Sequence, residues 1–285
     1  MSGQHINVSA QEALQHANVR AKKRLGQHFL HDNAIRDLII AAADLSSQDT
    51  VIEVGPGLGV LTTELARYAG KVIAVELDAQ LASRLKQGFK SSPNVDIIQA
   101  DILTLSPADI IGASRNYKVV ANLPYYITSP LLHHFIQAEE KPSLMVVMIQ
   151  KEVAEAIASK DGKMTALGVT MHIYSQPEII VQVPPQSFSP PPKVDSAVIR
   201  FKMFSESVIE PVFIGQFLQT VRSGFSAPRK QLRNSLAHGM DISNNESEHI
   251  LSSAGIDWHR RAETLTLQEW KRLSEIVRAQ CNHDD

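Results

Sequence analysis

Cysteine is almost missing from this chain of 285 residues: Cys281, near the end, stands alone. That excludes an intramolecular disulfide and a cysteine-rich metal site, and fits a reducing compartment. Long apolar runs are missing as well. Stretches such as Leu144 to Ile149 are far too short to span a bilayer, and the N-terminus lacks a charged start followed by an apolar segment. The expectation is a cytoplasmic protein without a membrane partner. Net charge is small: 28 Lys and Arg against 30 Asp and Glu give −2, which taken alone argues against a polyanion partner. The 11 histidines include His28 and His31, three apart, and the adjacent His133 and His134, with no third ligand in register, so no metal is expected.

What is present is an ordinary globular composition, 44% hydrophobic and 20% charged with 14 each of Gly and Pro. The length suits one large domain, or one large and one small. Charge is also unevenly placed. No acid occurs from Ala13 to His31, where Arg20, Lys22, Lys23 and Arg24 crowd together. None occurs from Pro211 to Met240, which holds Arg222, Arg229, Lys230 and Arg233. Basic patches on a neutral whole are the footprint of selective contact with a polyanion.

Between Thr50 and Lys202, short β-branched runs alternate with helix-length segments: TVIEVG then VLTTELARYA, VIAVEL then AQLASRLKQGF, VDIIQAD, YKVVAN then SPLLHHFIQA, SLMVVMIQ then KEVAEAIAS. This βα rhythm predicts an α/β fold with a doubly wound, mostly parallel sheet. EIIVQV and AVIRFK, around a Pro-rich loop, read as two further strands at the sheet edge. After Phe204 only helical patterns remain, among them VFIGQFLQTVR, RKQLRNSLA with a helix starting near Pro228, ESEHILSSAG and LQEWKRLSEIVRAQ. The expected division is a mobile tail (1–19), an α/β domain (20–205) and a small helical domain (206–285), with Trp258 and Trp270 in the helical core.

Gly55, Gly57 and Gly59 follow the first of these strands and precede a helix, where backbone can turn tightly and approach a ligand. Their GxGxG spacing lacks the third glycine of a dinucleotide fingerprint, and no Walker lysine follows. Close helix–strand packing could select the same glycines. Glu53, Glu76 and Asp101 stand at or near the ends of three successive strands. Each alone could be a cap or a solvated acid. Together they form an acid-lined rim suited to a ligand with a ribose, an amino group and no phosphate, and S-adenosylmethionine has those parts plus a positive sulfonium. Asn122-Leu123-Pro124-Tyr125 follows the strand YKVVA. It reads either as a turn or as an amine-polarising site: the Asn122 amide oxygen and the Leu123 carbonyl accept the two hydrogens of an aromatic amine, Pro124 fixes the backbone, and Tyr125 offers a face for a base.

In this order GQHFL, EVGPGLGVLTTEL, VIAVELD, ADIL, NLPYYI and FSPPPKVDSAVI resemble the successive motifs of the ribosomal RNA adenine dimethyltransferases, from about Lys22 to Arg278. RKQLRNSL is similar to the small-subunit branch, whose members convert two adjacent adenosines near the end of 16S RNA to 6-dimethyladenosines. The resemblance implies a Rossmann-like methyltransferase domain, S-adenosyl-L-methionine as cofactor, and the small ribosomal subunit with its 16S RNA as partner of a monomeric enzyme. Gln27 and the Gly55, Gly57 and Gly59 loop would contact the methionine moiety, with His28 and Leu30 also at the cofactor. Glu76 would take the ribose hydroxyls, Asp101 the adenine amino group, and Ile102 the adenine face. Asn122, Leu123 and Pro124 would bind the target amine, and Tyr125 with Phe188 would sandwich the target base, extruded from its stack. Two positions depart from the family pattern: His28 stands where an Asn is usual, and Pro228 where an Arg is frequent. The alternatives are the large-subunit methylase of antibiotic resistance, a DNA adenine methyltransferase, disfavoured by Leu123, and a non-catalytic ribosome-assembly factor.

Overall fold

The computed structural model describes residues 21–112, 116–160 and 162–281; the expected mobile tail, 1–19, and Arg20 lie outside the described residues. The chain runs through β1 (Phe29–Leu30), α1 (Asn33–Ala42), β2 (Thr50–Val54), α2 (Val60–Tyr68), β3 (Lys71–Glu76), α3 (Ala79–Gly88) and β4 (Val95–Gln99). It continues through α4 (Pro107–Ile111), β5 (Tyr117–Asn122), α5 (Thr128–Gln137), β6 (Leu144–Gln150), α6 (Lys151–Ala158), α7 (Ala166–Tyr174), β7 (Ser175–Val183), β8 (Phe188–Ser189) and β9 (Ser196–Met203). The last helices are α8 (Ile214–Gly224), α9 (Leu232–Met240), α10 (Asn244–Ser253) and α11 (Leu267–Cys281).

Seven strands form one sheet in the order β4-β3-β2-β5-β6-β9-β7. The pairs from β4 to β6 are parallel, and β9 lies antiparallel to β6, with Val198 opposite Met148. This is the doubly wound α/β fold, and the two strands expected at the edge are neighbours there. Strand residues alternate between faces, so burial of both Val51 and Ile52, and of both Val119 and Val120, means that both faces are covered. On one face Ile35, Ile39 and Ala42 of α1 and Leu61 and Leu65 of α2 pack with Val51, Val72, Val120, Val146 and Val198. Spacings of three and four put such residues on one helix stripe. Asp32 starts α1 by accepting from the Ala34 and Ile35 N–H groups, at 3.0 and 3.3 Å.

The chain divides into two compact units. One comprises the described residues up to Ala154 with Glu178–Met203; the other comprises Glu155–Pro177 with the residues from Phe204 onward. The second therefore includes α7, a segment that the sequence reading assigns to the α/β domain. Trp270 of α11 is fully buried within it, stacked on Phe225 with ring centroids 5.4 Å apart. Trp258 is only half-buried.

The helix expected from about Pro228 begins instead at Leu232. The Leu232 and Arg233 N–H groups donate to the carbonyls of Arg260 and Trp258, at 2.6 and 3.3 Å. Such tertiary acceptors satisfy the orphan donors of a helix start and set its first residue. Pro228, Arg229 and Lys230 lie in the preceding turn, closed by a 2.9 Å bond from the Lys230 N–H to the Ala227 carbonyl. Pro228 is thus neither a first-turn helix residue nor a basic contact, while Leu232 and Leu236 are buried as the spacing predicts.

Candidate active site

The strand order reverses at β2, which lies between β3 and β5, and ligands of open α/β sheets bind at the carboxyl ends of such strands. A cavity of about 230 Å³ opens there, walled by the turns that follow β2, β3, β4 and β5 and by Leu25–Leu30 and Phe188. The loop after β2 needs its glycines. Gly57 has φ +59°, and a Cβ on it would stand 3.2 Å from the Phe29 ring. Gly59, the cap of α2 at φ +84°, faces away: a Cβ there would meet Leu85 and Phe89 at 3.0 and 3.1 Å. That packing accounts for its lack of a side chain, while Gly55, Gly57, Leu58 and Val60 line the cavity.

Glu76, at the end of β3, is 5% exposed. Its Oε2 accepts the Gly57 N–H at 3.1 Å and its Oε1 the Asp78 N–H at 2.9 Å. Burial raises its pKa, and these two N–H groups oppose the rise. The carboxyl thus braces the glycine loop while keeping lone pairs for a ligand. Glu53, one residue before the end of β2, is 1% exposed, and neither carboxyl oxygen has a partner of hydrogen-bonding geometry. Burial, together with the Glu76 charge and against the nearby Thr62, pushes its pKa up to about 8. Asp101 caps the turn Ile102–Thr104 by accepting the Leu103 N–H at 3.0 Å; it and the buried Ile102 line the cavity, as does Leu30.

Asp78 has no place in the sequence reading, although its position two residues beyond Glu76 and just before α3 marks it as a helix cap. Its carboxylate accepts the Gln80 N–H at 3.0 Å and binds Lys22 Nζ at 2.7 Å. Burial works to raise its pKa, but Lys22, Gln80 and Gln27 hold it below the usual carboxylate value. Gln27 joins the same knot: its Oε1 accepts the Lys22 N–H at 2.8 Å and its Nε2 donates to Asp78 at 3.4 Å. Lys22 is therefore an internal ion-pair partner rather than a free phosphate ligand, and Gln27 ties the N-terminal segment to the rim.

Asn122 ends β5. Its Nδ2 donates to the His28 carbonyl at 3.1 Å, which turns Oδ1 away from that bond. The departure from the usual Asn at position 28 leaves this contact intact because only the backbone of His28 makes it. The His28 ring bonds through Nδ1 to the Pro190 carbonyl, at 2.7 Å, and lies 6.0 Å from the Tyr125 ring at 24°. The Leu123 N–H is taken by the Met148 carbonyl at 3.1 Å, and Tyr125 Oη bonds Ser196 Oγ at 2.8 Å. Burial raises the Tyr125 pKa against that bond, so its phenol stays neutral at physiological pH. Phe188 reaches the cavity by a pairing that local periodicity does not announce: β1 and β8 form a two-residue antiparallel ribbon, with Leu30 opposite Phe188. Ser187 secures it, its carbonyl accepting the His31 N–H at 3.0 Å and its hydroxyl donating to Asp32 at 2.9 Å.

The basic residues sort differently from expectation. Arg24 is exposed, Lys23 opens the turn Lys23–Leu25, and Arg222, Arg229 and Lys230 are exposed. Arg233 is committed internally: it is ion-paired with Glu248 and lies 4.3 Å over the Trp258 ring. It is not available as a fourth phosphate ligand of that stretch.

No helix among the described residues is long and apolar enough to cross a membrane. The chain is 48% identical over 268 residues to ribosomal RNA small subunit methyltransferase A of Dehalococcoides mccartyi, covering 94% of this chain and 92% of that one. It is 43% identical over 260 residues to the protein of the same name from Desulfitobacterium hafniense, covering 90% and 92%. Its fold matches the crystal structure of the 23S rRNA methyltransferase ErmE with a TM-score of 0.71 and 28% identity, over 88% of this chain and 99% of that one. Residues 18–278 match the family described as ribosomal RNA adenine dimethylase, and the chain belongs to that family of S-adenosylmethionine-dependent rRNA adenine dimethyltransferases.

Proposed function

We propose that this enzyme dimethylates the 6-amino groups of two adjacent adenosines in the 16S RNA of the small ribosomal subunit, acting in the cytoplasm as a monomer at a late assembly stage. The observation that carries the chemistry is Asn122, held by the His28 carbonyl beside the cavity so that its amide oxygen remains for an amine. The small-subunit branch is favoured because 48% identity to a relative named for that subunit exceeds 28% identity to the 23S enzyme.

The cavity residues suit S-adenosylmethionine: buried acids on one side, the apolar Ile102 and Leu103 on another, and Glu53 oxygens without a partner. When bound, it supplies a methyl group on a sulfonium, a leaving group good enough to need no strong base. Glu76 takes the ribose hydroxyls, Asp101 the adenine amine and Ile102 its face, while Gln27, His28, Leu30, Gly55 and Gly57 close around the methionine end. Asn122 Oδ1 and the Leu123 carbonyl accept the two N6 hydrogens of the target, which localises the nitrogen lone pair toward the methyl. Pro124, at φ −57°, aims that carbonyl. Tyr125 and Phe188 hold the extruded base between them, so that orientation supplies most of the acceleration. Arg24, Arg222, Arg229 and Lys230 meet RNA phosphates, and the helical unit serves as an RNA-contacting domain.

The test is methyl transfer from labelled S-adenosylmethionine to under-methylated small subunits, followed by identification of the nucleoside. Two dimethyladenosines per 16S RNA are expected. In a parallel reaction on 23S RNA, label there and none in 16S RNA would favour the large-subunit branch, and none in either RNA a non-catalytic factor.

A further inference from the structure

Two acids at neighbouring strand ends share the cavity wall in different states of compensation. Glu76 accepts two backbone N–H groups. Glu53 has no partner of strict hydrogen-bonding geometry, and Thr62 on α2, through its hydroxyl and its N–H, is the group nearby that favours its charge. Its lateral neighbours in the sheet are Ala74 on β3 and Val120 on β5, both apolar. The ionisable group acting on it is Glu76; Asp101, His28, Tyr125 and Tyr126 are the others on the wall, and Lys22 is taken by Asp78. A buried carboxylate with only these loosely placed donors and no cation beside it favours its neutral form.

We propose that Glu53 carries a proton in the free enzyme and ionises when the net positive charge of the cofactor enters, so that this carboxyl discriminates S-adenosylmethionine from its product. The proposal rests on the cavity being the cofactor site. The cofactor has an ammonium, a sulfonium and one carboxylate, a net charge of +1; the thioether product keeps the ammonium and carboxylate and is neutral. In the ionisation step the carboxyl O–H bond breaks, its electron pair stays on Glu53, and the proton passes to solvent. An ionised Glu53 favours the cation electrostatically and gains nothing comparable from the product. Transfer of the methyl group removes the charge that held Glu53 ionised, so the carboxyl takes a proton back and product leaves.

The experiment is titration calorimetry of the full-length enzyme with S-adenosylmethionine and with S-adenosylhomocysteine, in two buffers of different ionisation enthalpy, between pH 6 and 9. The sulfonium lowers the cofactor's own ammonium pKa relative to the product's, so the same titrations on Glu53→Gln supply the ligands' contribution and the difference between wild type and variant isolates Glu53. Relative to that variant, wild type is expected to release close to one more proton with the cofactor than with the product at pH 7. The affinity ratio then rises toward tenfold per pH unit, as release of one proton requires, and levels off at alkaline pH. Glu53→Gln loses that extra proton and that part of the slope. Thr62→Val, which removes the one hydroxyl beside the carboxyl, moves the midpoint to higher pH and tests the assignment independently. Equal proton release by wild type and Glu53→Gln, or an unchanged slope in either variant, overturns the proposal. Failure of wild type to bind either ligand overturns the cofactor site itself.

Discussion

Glu76→Gln separates the two duties placed on one buried carboxylate. In the wild type each oxygen accepts one backbone N–H, from Gly57 and from Asp78. Glutamine keeps the shape but has one acceptor oxygen, so one of those N–H groups must face an NH₂. Hydrogen bonds to a charged group contribute about 1.5–3 kcal/mol, and a ribose loses one such acceptor in the variant. Cofactor affinity should therefore fall roughly ten- to 150-fold, at about 1.4 kcal/mol per decade. Calorimetry with S-adenosylmethionine reads the affinity and thermal unfolding reads the brace: the unpaired N–H costs about 1–3 kcal/mol of stability. If the melting temperature drops while Kd stays within twofold of wild type, Glu76 only holds the loop and the ribose assignment is refuted.

Asn122→Ala removes an acceptor that matters most as charge develops on the amine, so kcat should collapse while RNA affinity is nearly retained; normal turnover with weakened RNA binding would make Asn122 a binding or turn residue instead. Replacing exposed Arg229 and Lys230 by Ala should flatten the log–log salt dependence of subunit binding by about 1.4 to 1.8, at 0.7 to 0.9 per phosphate contact, and leave cofactor affinity alone. An identical slope would mark them as solvated charges. Arg233→Ala should act on stability, since it leaves Glu248 unpaired and uncovers Trp258; denaturant midpoints at constant m-value check this. Glu53 has a folded-state pKa raised from 4.5 to about 8, so wild type loses stability relative to Glu53→Gln as pH rises through that window. The gap is absent near pH 4 and on the order of 3 kcal/mol at pH 7, and parallel stability curves from pH 5 to 8 would refute the burial of an uncompensated carboxyl.

Much of the fold and part of the site were legible because they are local. Strand and helix periods are properties of neighbouring residues, and in βα units they announce a parallel sheet whose loops gather at one end. Gly55, Gly57, Glu76, Asp101 and Asn122 could therefore be read as one cluster from their positions after successive strands, and the cavity brings them together. Gly59 shows the limit of that reading: a glycine on the same loop serves packing against Leu85 and Phe89, and only the course of α3 decides so.

What the sequence by itself determined is the order of strands and helices, the glycine turn, and the residue types able to bind a ribose and polarise an amine. The tertiary structure alone decided which charges are free and where Asn122 points. Lys22 meets Asp78 across 56 positions, Asn122 meets the His28 carbonyl across 94, and Arg233 finds Glu248 and Trp258 in other segments. The start of α9 likewise depends on carbonyls of Trp258 and Arg260. The physical reason is common to all four. A hydrogen-bonding or charged group, in a side chain or at a helix end, is satisfied by whatever the fold brings within about 3 Å, and spacing along the chain carries no record of that partner.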